Sequence, residues 1–76
     1  MPSPSQIRTE RILHLVELCE KESTKKRKTV QNWLPSFIDF HSGRLYPTIS
    51  LRTRKEYRFA VIYLLLHNKD NIKDGN

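Results

Sequence analysis

The stretch Leu51–His67 changes character halfway along and constrains the fold more than any other part of the chain. Its second half, Phe59–Leu66, is apolar or aromatic at every position. A surface helix needs only one apolar stripe, so a helix of this composition must be covered on several sides or meet a partner. The first half is basic, although the helix dipole disfavours cations at a helix N-terminus by up to ~1 kcal/mol. We therefore expect an anion to complete the site formed by its four basic residues, Arg52, Arg54, Lys55 and Arg58.

Length and charge narrow the class of protein. The chain has 76 residues, enough for one small domain. We predict a helical domain over 1–68 and, because the sequence NKDNIKDGN is polar, a flexible tail over 69–76. Fourteen Lys and Arg against eight Asp and Glu give a net charge of +6. Ten basic and three acidic residues lie between Lys21 and Arg58, so this middle segment alone carries 10 − 3 = +7. A segregated excess of this sign favours a polyanionic partner, either nucleic acid or an acidic protein surface.

The cellular compartment is predicted from the cysteine content and from the lack of long apolar segments. A single cysteine, Cys19, allows no intrachain disulfide and fits a reducing environment. The N-terminal MPSPSQIRTE has no apolar run of the kind a signal peptide needs. The longest apolar run, Phe59–Leu66, is eight residues, far below the roughly 20 that a membrane-spanning helix needs. We expect a protein of the cytoplasm or nucleus with no membrane partner.

Three helices are predicted from apolar spacing and capping signals. Ser3 and Gln6 form a capping-box pattern that predicts helix 1 over Pro4 to Glu22, and Cys19 lies on its core stripe. Helix 2 is predicted over Asn32 to His41, a start that puts the proline at position 35 in the first turn. Helix 3 is predicted to start at Ser50 or Thr53.

The segments between the helices are predicted from their Gly, Pro and basic residues. Gly43 suits a left-handed cap that would end helix 2. Arg44–Ile49 is predicted to be extended or irregular, and a short strand is an alternative. A second capping box, Thr53 with Glu56, is the alternative start for helix 3. Ser23–Lys28, which carries four consecutive cations at Lys25–Lys28, is predicted to be a basic loop or a frayed helix end.

Signatures of catalysis and metal binding are missing from the sequence. With only two glycines, at positions 43 and 75, the chain has no glycine-rich phosphate loop. Its three histidines and one cysteine show no zinc-like spacing. We expect no enzymatic activity, no cofactor, no metal and no small-molecule substrate.

The two basic segments indicate nucleic-acid binding. In helix-turn-helix proteins, loops and helix N-termini contact phosphates, and a later helix enters the major groove. If both segments lie on one side of a helix-turn-helix-like domain, they form one cationic surface. The predicted nucleic-acid-binding residues are Lys25, Lys26, Arg27, Lys28, Arg44, Ser50, Arg52, Thr53, Arg54, Lys55 and Arg58.

The segment Thr29–Leu66 resembles the helical (SAM-like) core-binding domain of tyrosine recombinases. The resemblance rests on TVQNWLPSFIDFHSG followed by TISLRTRKEYRFAVIYLLL, with the pattern Ser-x-x-Thr-x-x-x-Tyr at Ser50, Thr53 and Tyr57. It implies an all-helical fold that clasps DNA through basic and hydroxyl residues at the start of the second of these helices. No catalytic domain follows the segment, so recombinase activity is not implied.

The sequence thus predicts an all-α, three-helix protein that binds double-stranded DNA. A transcriptional regulator or accessory factor of a virus, plasmid or mobile element is the preferred interpretation. The alternative is a protein-interaction module or inhibitor that uses its basic face on an acidic partner. The apolar excess of helix 3 also predicts a homodimer, unless helices 1 and 2 cover this helix on either side. The predicted interface residues are Phe59, Ile62, Tyr63 and Leu66.

Overall fold

The described residues form three α-helices. The computed structural model describes residues 2–25 and 30–75, and the side chains of residues 2–25 and 32–67. The helices are α1 (Pro4–Lys25), α2 (Val30–Leu45) and α3 (Leu51–Gly75), and the described residues contain no strand. The prediction of an all-α, three-helix domain is confirmed. A helix-turn-helix-like arrangement is compatible with this order of elements and stays a prediction.

Helix α1 begins at the predicted capping box. The backbone N–H of Ser3 donates to Oε1 of Gln6 at 2.9 Å, and the N–H of Gln6 donates to Oγ of Ser3 at 3.3 Å. These reciprocal bonds satisfy two amides that the first turn of a helix leaves without partners. The helix extends to Lys25, three residues beyond its predicted end at Glu22.

The long helices α1 and α3 lie along the long axis of the molecule and run in the same direction. The molecule measures 38 × 24 × 18 Å. A helix of 22 residues is about 33 Å long, so α1 fits only along the longest dimension. Arg8 of α1 lies 4.0 Å from Glu56 of α3, and further along both helices Leu13 and Leu64 line the same groove. The end of α1 therefore lies far from the start of α3.

The predicted bounds of helix 2 are wrong at both ends. The helix begins at Val30 rather than Asn32, so Pro35 lies inside it and not in its first turn. A proline near the start of a helix removes a single backbone bond, and burial of Leu34 and Ile38 offsets this loss. At the other end the helix continues through Gly43 to Leu45, because Gly43 has no positive φ and makes no left-handed cap.

The connection from α2 to α3 is a tight turn rather than a strand. The N–H of Ile49 donates to the carbonyl of Tyr46 at 3.3 Å, with Pro47 at the second position, where proline favours a turn. Ser50 then caps α3, because its Oγ accepts the N–H of Thr53 at 3.1 Å. Of the two predicted starts, the one at Ser50 is correct.

The core forms where all three helices meet. Its centre is fully buried and includes Leu15 of α1, Ile38 of α2 and Val61 of α3. Cys19 is also buried, as predicted, and burial raises the pKa of its thiol to about 12, with a smaller contribution from the Glu20 carboxylate. Among the described side chains, the buried apolar residues are Ile12, Leu15, Val16, Cys19, Leu34, Ile38, Tyr57, Val61 and Leu65.

The helical backbone of α3 continues to Gly75, further than the sequence predicts. Side chains beyond His67 lie outside the described part of the structure. The flexibility predicted for 69–76 therefore stays a prediction.

Candidate nucleic-acid interface

A cationic depression lies between α2 and the first two turns of α3. It is open to solvent and has a volume of about 380 Å³. Four of the six residues that line it are basic and one is acidic, so its walls carry 4 − 1 = +3. These residues, which define the cationic depression, are Asp39, Leu51, Arg52, Arg54, Lys55 and Arg58. The four basic residues predicted at the start of helix 3 therefore lie around one concave surface.

Arg58 is held by an ion pair with α2. Its Nη1 donates to Oδ2 of Asp39 at 2.9 Å, and both side chains are partly buried. A charge-assisted bond of this length fixes the guanidinium plane. The Asp39 carboxylate also neutralises part of the positive charge that was predicted to contact DNA.

Arg54 lies against the backbone of α2 at Gly43. A Cβ at this glycine would lie 3.3 Å from Cζ and Nη2 of Arg54, so a larger side chain would crowd the guanidinium. Nε of Arg54 is buried and has no hydrogen-bond partner among the described atoms. Gly43, predicted to end helix 2, instead gives Arg54 room to approach it.

Arg52 and Lys55 are the exposed cations of the depression. Both are free to reach outward, whereas Arg54 and Arg58 are partly buried. The predicted hydroxyl contacts bond to each other: Oγ of Ser50 donates to Oγ1 of Thr53 at 3.1 Å and accepts the backbone N–H of Thr53, which caps α3. In the described structure these two residues shape the helix start.

Lys25 is the one described residue of the second basic segment, Lys25–Lys28, and it lies at the other end of the molecule. Lys25 is exposed and lies 17 residues beyond Arg8, which is about 25 Å along α1. Because Arg8 lies next to Glu56 near the depression, Lys25 is remote from it. Lys26, Arg27 and Lys28 lie outside the described residues.

Arg44 occupies a third place on the surface. It is exposed on the last turn of α2, which leads directly into the start of α3. It does not line the cationic depression. Of the eleven predicted nucleic-acid-binding residues, the depression brings together Arg52, Arg54, Lys55 and Arg58.

An apolar face lies on α3 directly beyond the depression. We define the apolar face as Phe59, Tyr63 and Leu66, which recur at helical spacing and are all exposed; Phe59 is 65% and Tyr63 60% exposed. The fourth predicted interface residue, Ile62, is half-buried and packs against the core. Helices α1 and α2 thus cover one side of α3 and leave this side open.

Sequence reasoning missed three residues of this region. Asp39 is the only acid between Glu22 and Glu56, and that isolation within a basic segment was the available signal. Gly43 was interpreted as a cap, and nothing in its local sequence indicates the contact with Arg54. Leu13, exposed on α1, shares a groove with Tyr63 and extends the apolar surface.

Within the described part of the chain, no three His, Cys, Asp or Glu side chains come together in a way that could hold a metal ion. Nor is any described helix long and apolar enough to cross a membrane. The chain matches no protein-family model, no curated protein and no solved structure. The resemblance to the core-binding domain of tyrosine recombinases stays a prediction.

Proposed function

We propose that this protein binds double-stranded DNA through the start of α3. The observation that carries the proposal is the cationic depression, which gathers four basic side chains and a single carboxylate on one concave, solvent-open surface. DNA is a dense polyanion, and binding to it is driven by the release of counterions from phosphates that Lys and Arg neutralise. Arg52 and Lys55 are the primary contacts because they are the exposed cations of the depression.

The N-terminus of α3 adds to the attraction for phosphate. The partial positive charge of a helix dipole lies there, next to Leu51 and Arg52. Cations at that position destabilise the free protein, and a bound phosphate removes the conflict. In this proposal the protein serves as a regulator or accessory factor in a DNA-containing compartment of the cell, with α3 in the manner of a recognition helix.

The apolar face supports a homodimer as part of the same proposal. Exposed contiguous apolar surface of this kind marks protein interfaces. If two copies of α3 cross at Tyr63, each Arg52 lies 11 residues from the crossing point. The two Arg52 residues are then up to about 33 Å apart. Half-sites on DNA recur at about 34 Å, one helical turn. A two-fold dimer would therefore present its two depressions to successive turns of one duplex.

An acidic protein is the second candidate partner. The observation that favours it is the direct continuity between the depression and the apolar face, since Phe59 follows Arg58 and its ring lies 5.7 Å from the guanidinium carbon of that residue. Protein interfaces combine an apolar centre with a charged rim. DNA is preferred because the depression is concave and two of its three exposed side chains, Arg52 and Lys55, are cations.

A titration of random-sequence duplex at several salt concentrations tests the proposal. DNA binding predicts that the logarithm of the association constant falls linearly with the logarithm of salt, with a slope of about −0.9 for each phosphate neutralised. A second titration uses an acidic polypeptide of matched charge. Tighter binding to the polypeptide than to the duplex would favour the second candidate.

A further inference from the structure

The cationic depression has two kinds of basic side chain, and the difference indicates a specific ligand. Arg54 and Arg58 are partly buried and are positioned by α2, through Gly43 and Asp39 respectively. Lys55 and Arg52 are exposed at the rim. One guanidinium held by an ion pair, a second packed against Gly43 and two exposed cations at the rim form an arrangement that can close around one anion.

The donors of the depression exceed the acceptors that the protein supplies. A guanidinium carries five N–H donors. Asp39 accepts one bond from Arg58 and is the single acid among the residues that line the depression. A tetrahedral anion with several acceptor oxygens suits such a set of donors, because guanidinium groups pair with phosphate through two parallel bonds.

We propose that the cationic depression is a discrete binding site for a phosphate group, and that Asp39 sets its affinity. Arg54 and Arg58 form the inner part of the site, and Arg52 and Lys55 close over the anion. The proposal deepens the proposed function, on which it rests for the source of the phosphate, the backbone of a DNA duplex. Free inorganic phosphate shares the chemistry and serves as the probe.

Asp39 has two opposing effects in this site. Its carboxylate orients Arg58, and its negative charge repels an anion in the same depression. Removing this negative charge lessens the repulsion that an anion in the depression experiences. Asp39→Asn keeps the shape of the side chain and an amide oxygen that still accepts from Arg58. We expect it to tighten phosphate binding about three- to tenfold.

Nuclear magnetic resonance gives the test. Sodium phosphate is titrated into the ¹⁵N-labelled full chain at constant pH, with sodium chloride at matched ionic strength as the reference. Saturable shifts at the amides of Leu51 and Arg52 and at Nε–H of Arg54 are expected. The shifts should disappear in Arg52→Gln/Lys55→Gln and persist in Lys21→Gln, which removes an exposed cation on α1. Shifts that do not saturate, or that equal those with chloride, would overturn the site.

The Asp39→Asn variant and a short duplex complete the experiment. Unchanged or weaker phosphate binding by Asp39→Asn would overturn the role of Asp39. Saturable phosphate binding without duplex binding would keep the site and reject DNA as the source of the phosphate. Duplex binding without any saturable response to phosphate would keep the DNA-binding function and reject the discrete site.

Discussion

Arg58 of α3 is bound to Asp39 of α2 by a 2.9 Å hydrogen bond between Nη1 and Oδ2. The pair joins two helices and forms one wall of the cationic depression. Partly exposed ion pairs contribute little to stability, typically below ~1 kcal/mol. The larger consequence of the pair is that it holds the Arg58 side chain in place. Arg58 can therefore contact a ligand without losing rotamer freedom on binding. Arg52 and Lys55 lack such a constraint and must be ordered by the ligand.

Ser50→Ala should destabilise the protein by about 1 kcal/mol, because the hydroxyl caps α3 by accepting the N–H of Thr53. For a domain of this size that loss corresponds to a fall in Tm of roughly 4–8 °C. Thermal unfolding followed by circular dichroism measures it. Ser36→Ala, an exposed serine inside α2, is the matched control and should not lower Tm.

Gly43→Ala should raise Tm by a few degrees. Alanine gains up to about 1 kcal/mol over glycine inside a helix. The new Cβ would lie 3.3 Å from Cζ and Nη2 of Arg54, the end of a flexible side chain that can move by a few tenths of an ångström. The Nε–H resonance of Arg54 should shift in the same variant. A fall in Tm would mean that the contact between Arg54 and the α2 backbone is rigid.

Cys19 should be inert in the folded protein. Its pKa, raised to about 12 by burial, leaves almost no thiolate at neutral pH, so a thiol reagent should label the native chain slowly and the urea-unfolded chain at once. The raised pKa also fixes the sign of a pH effect. The unfolded chain loses the thiol proton near the ordinary pKa of 9.0 while the folded chain keeps it, so stability falls between pH 9 and 12.

The alkaline loss of stability has a direct control. Cys19→Ala has no proton to lose and should flatten the fall between pH 9 and 12. It should also create a small cavity and lower the stability at neutral pH. Rapid labelling of the native chain would contradict burial of Cys19.

Tyr63→Glu should convert a dimer into a monomer while helicity is retained, because Tyr63 lies at the centre of the apolar face and is exposed. Sedimentation equilibrium at micromolar concentration measures the mass against the 9.1 kDa of one chain. Phe40→Glu, an exposed aromatic on α2, is the control and should leave the dimer intact. A 9.1 kDa species for the unsubstituted chain would contradict the dimer.

The number and order of the helices could be predicted from sequence because the apolar spacing of each is strong. The core stripe of α1 at Leu15 and Cys19 is an example, since local periodicity alone fixes which side faces inward. The end of helix 2 could not be predicted. Glycine is typical of a helix cap, and here it serves a contact with Arg54, a residue 11 positions away in sequence, that only the folded arrangement brings about.

The cationic depression could also be predicted only in part, because part of it depends on contacts between helices. The four basic residues of α3 are local in sequence, so a single helix brings them to one end of the molecule. Lys25 does not lie beside them, because α1 and α3 run in the same direction and the end of α1 is far from the start of α3. Its contact with nucleic acid stays a prediction. The four basic residues of α3 also differ in exposure, because Arg54 packs against Gly43 and Arg58 binds Asp39, both on α2. The charge pattern of α3 alone does not reveal this difference.

The salt dependence of duplex binding by Arg52→Gln/Lys55→Gln tests the central claim most directly. The matched control is Lys21→Gln/Lys25→Gln, which removes the same charge from exposed positions on α1. If the start of α3 is the DNA interface, the first variant should bind more weakly and its log–log salt slope should flatten by about 1.8, two phosphate contacts at 0.9 each. The control should keep the slope of the unsubstituted protein. An equal loss of slope in both variants, or in neither, would contradict the account.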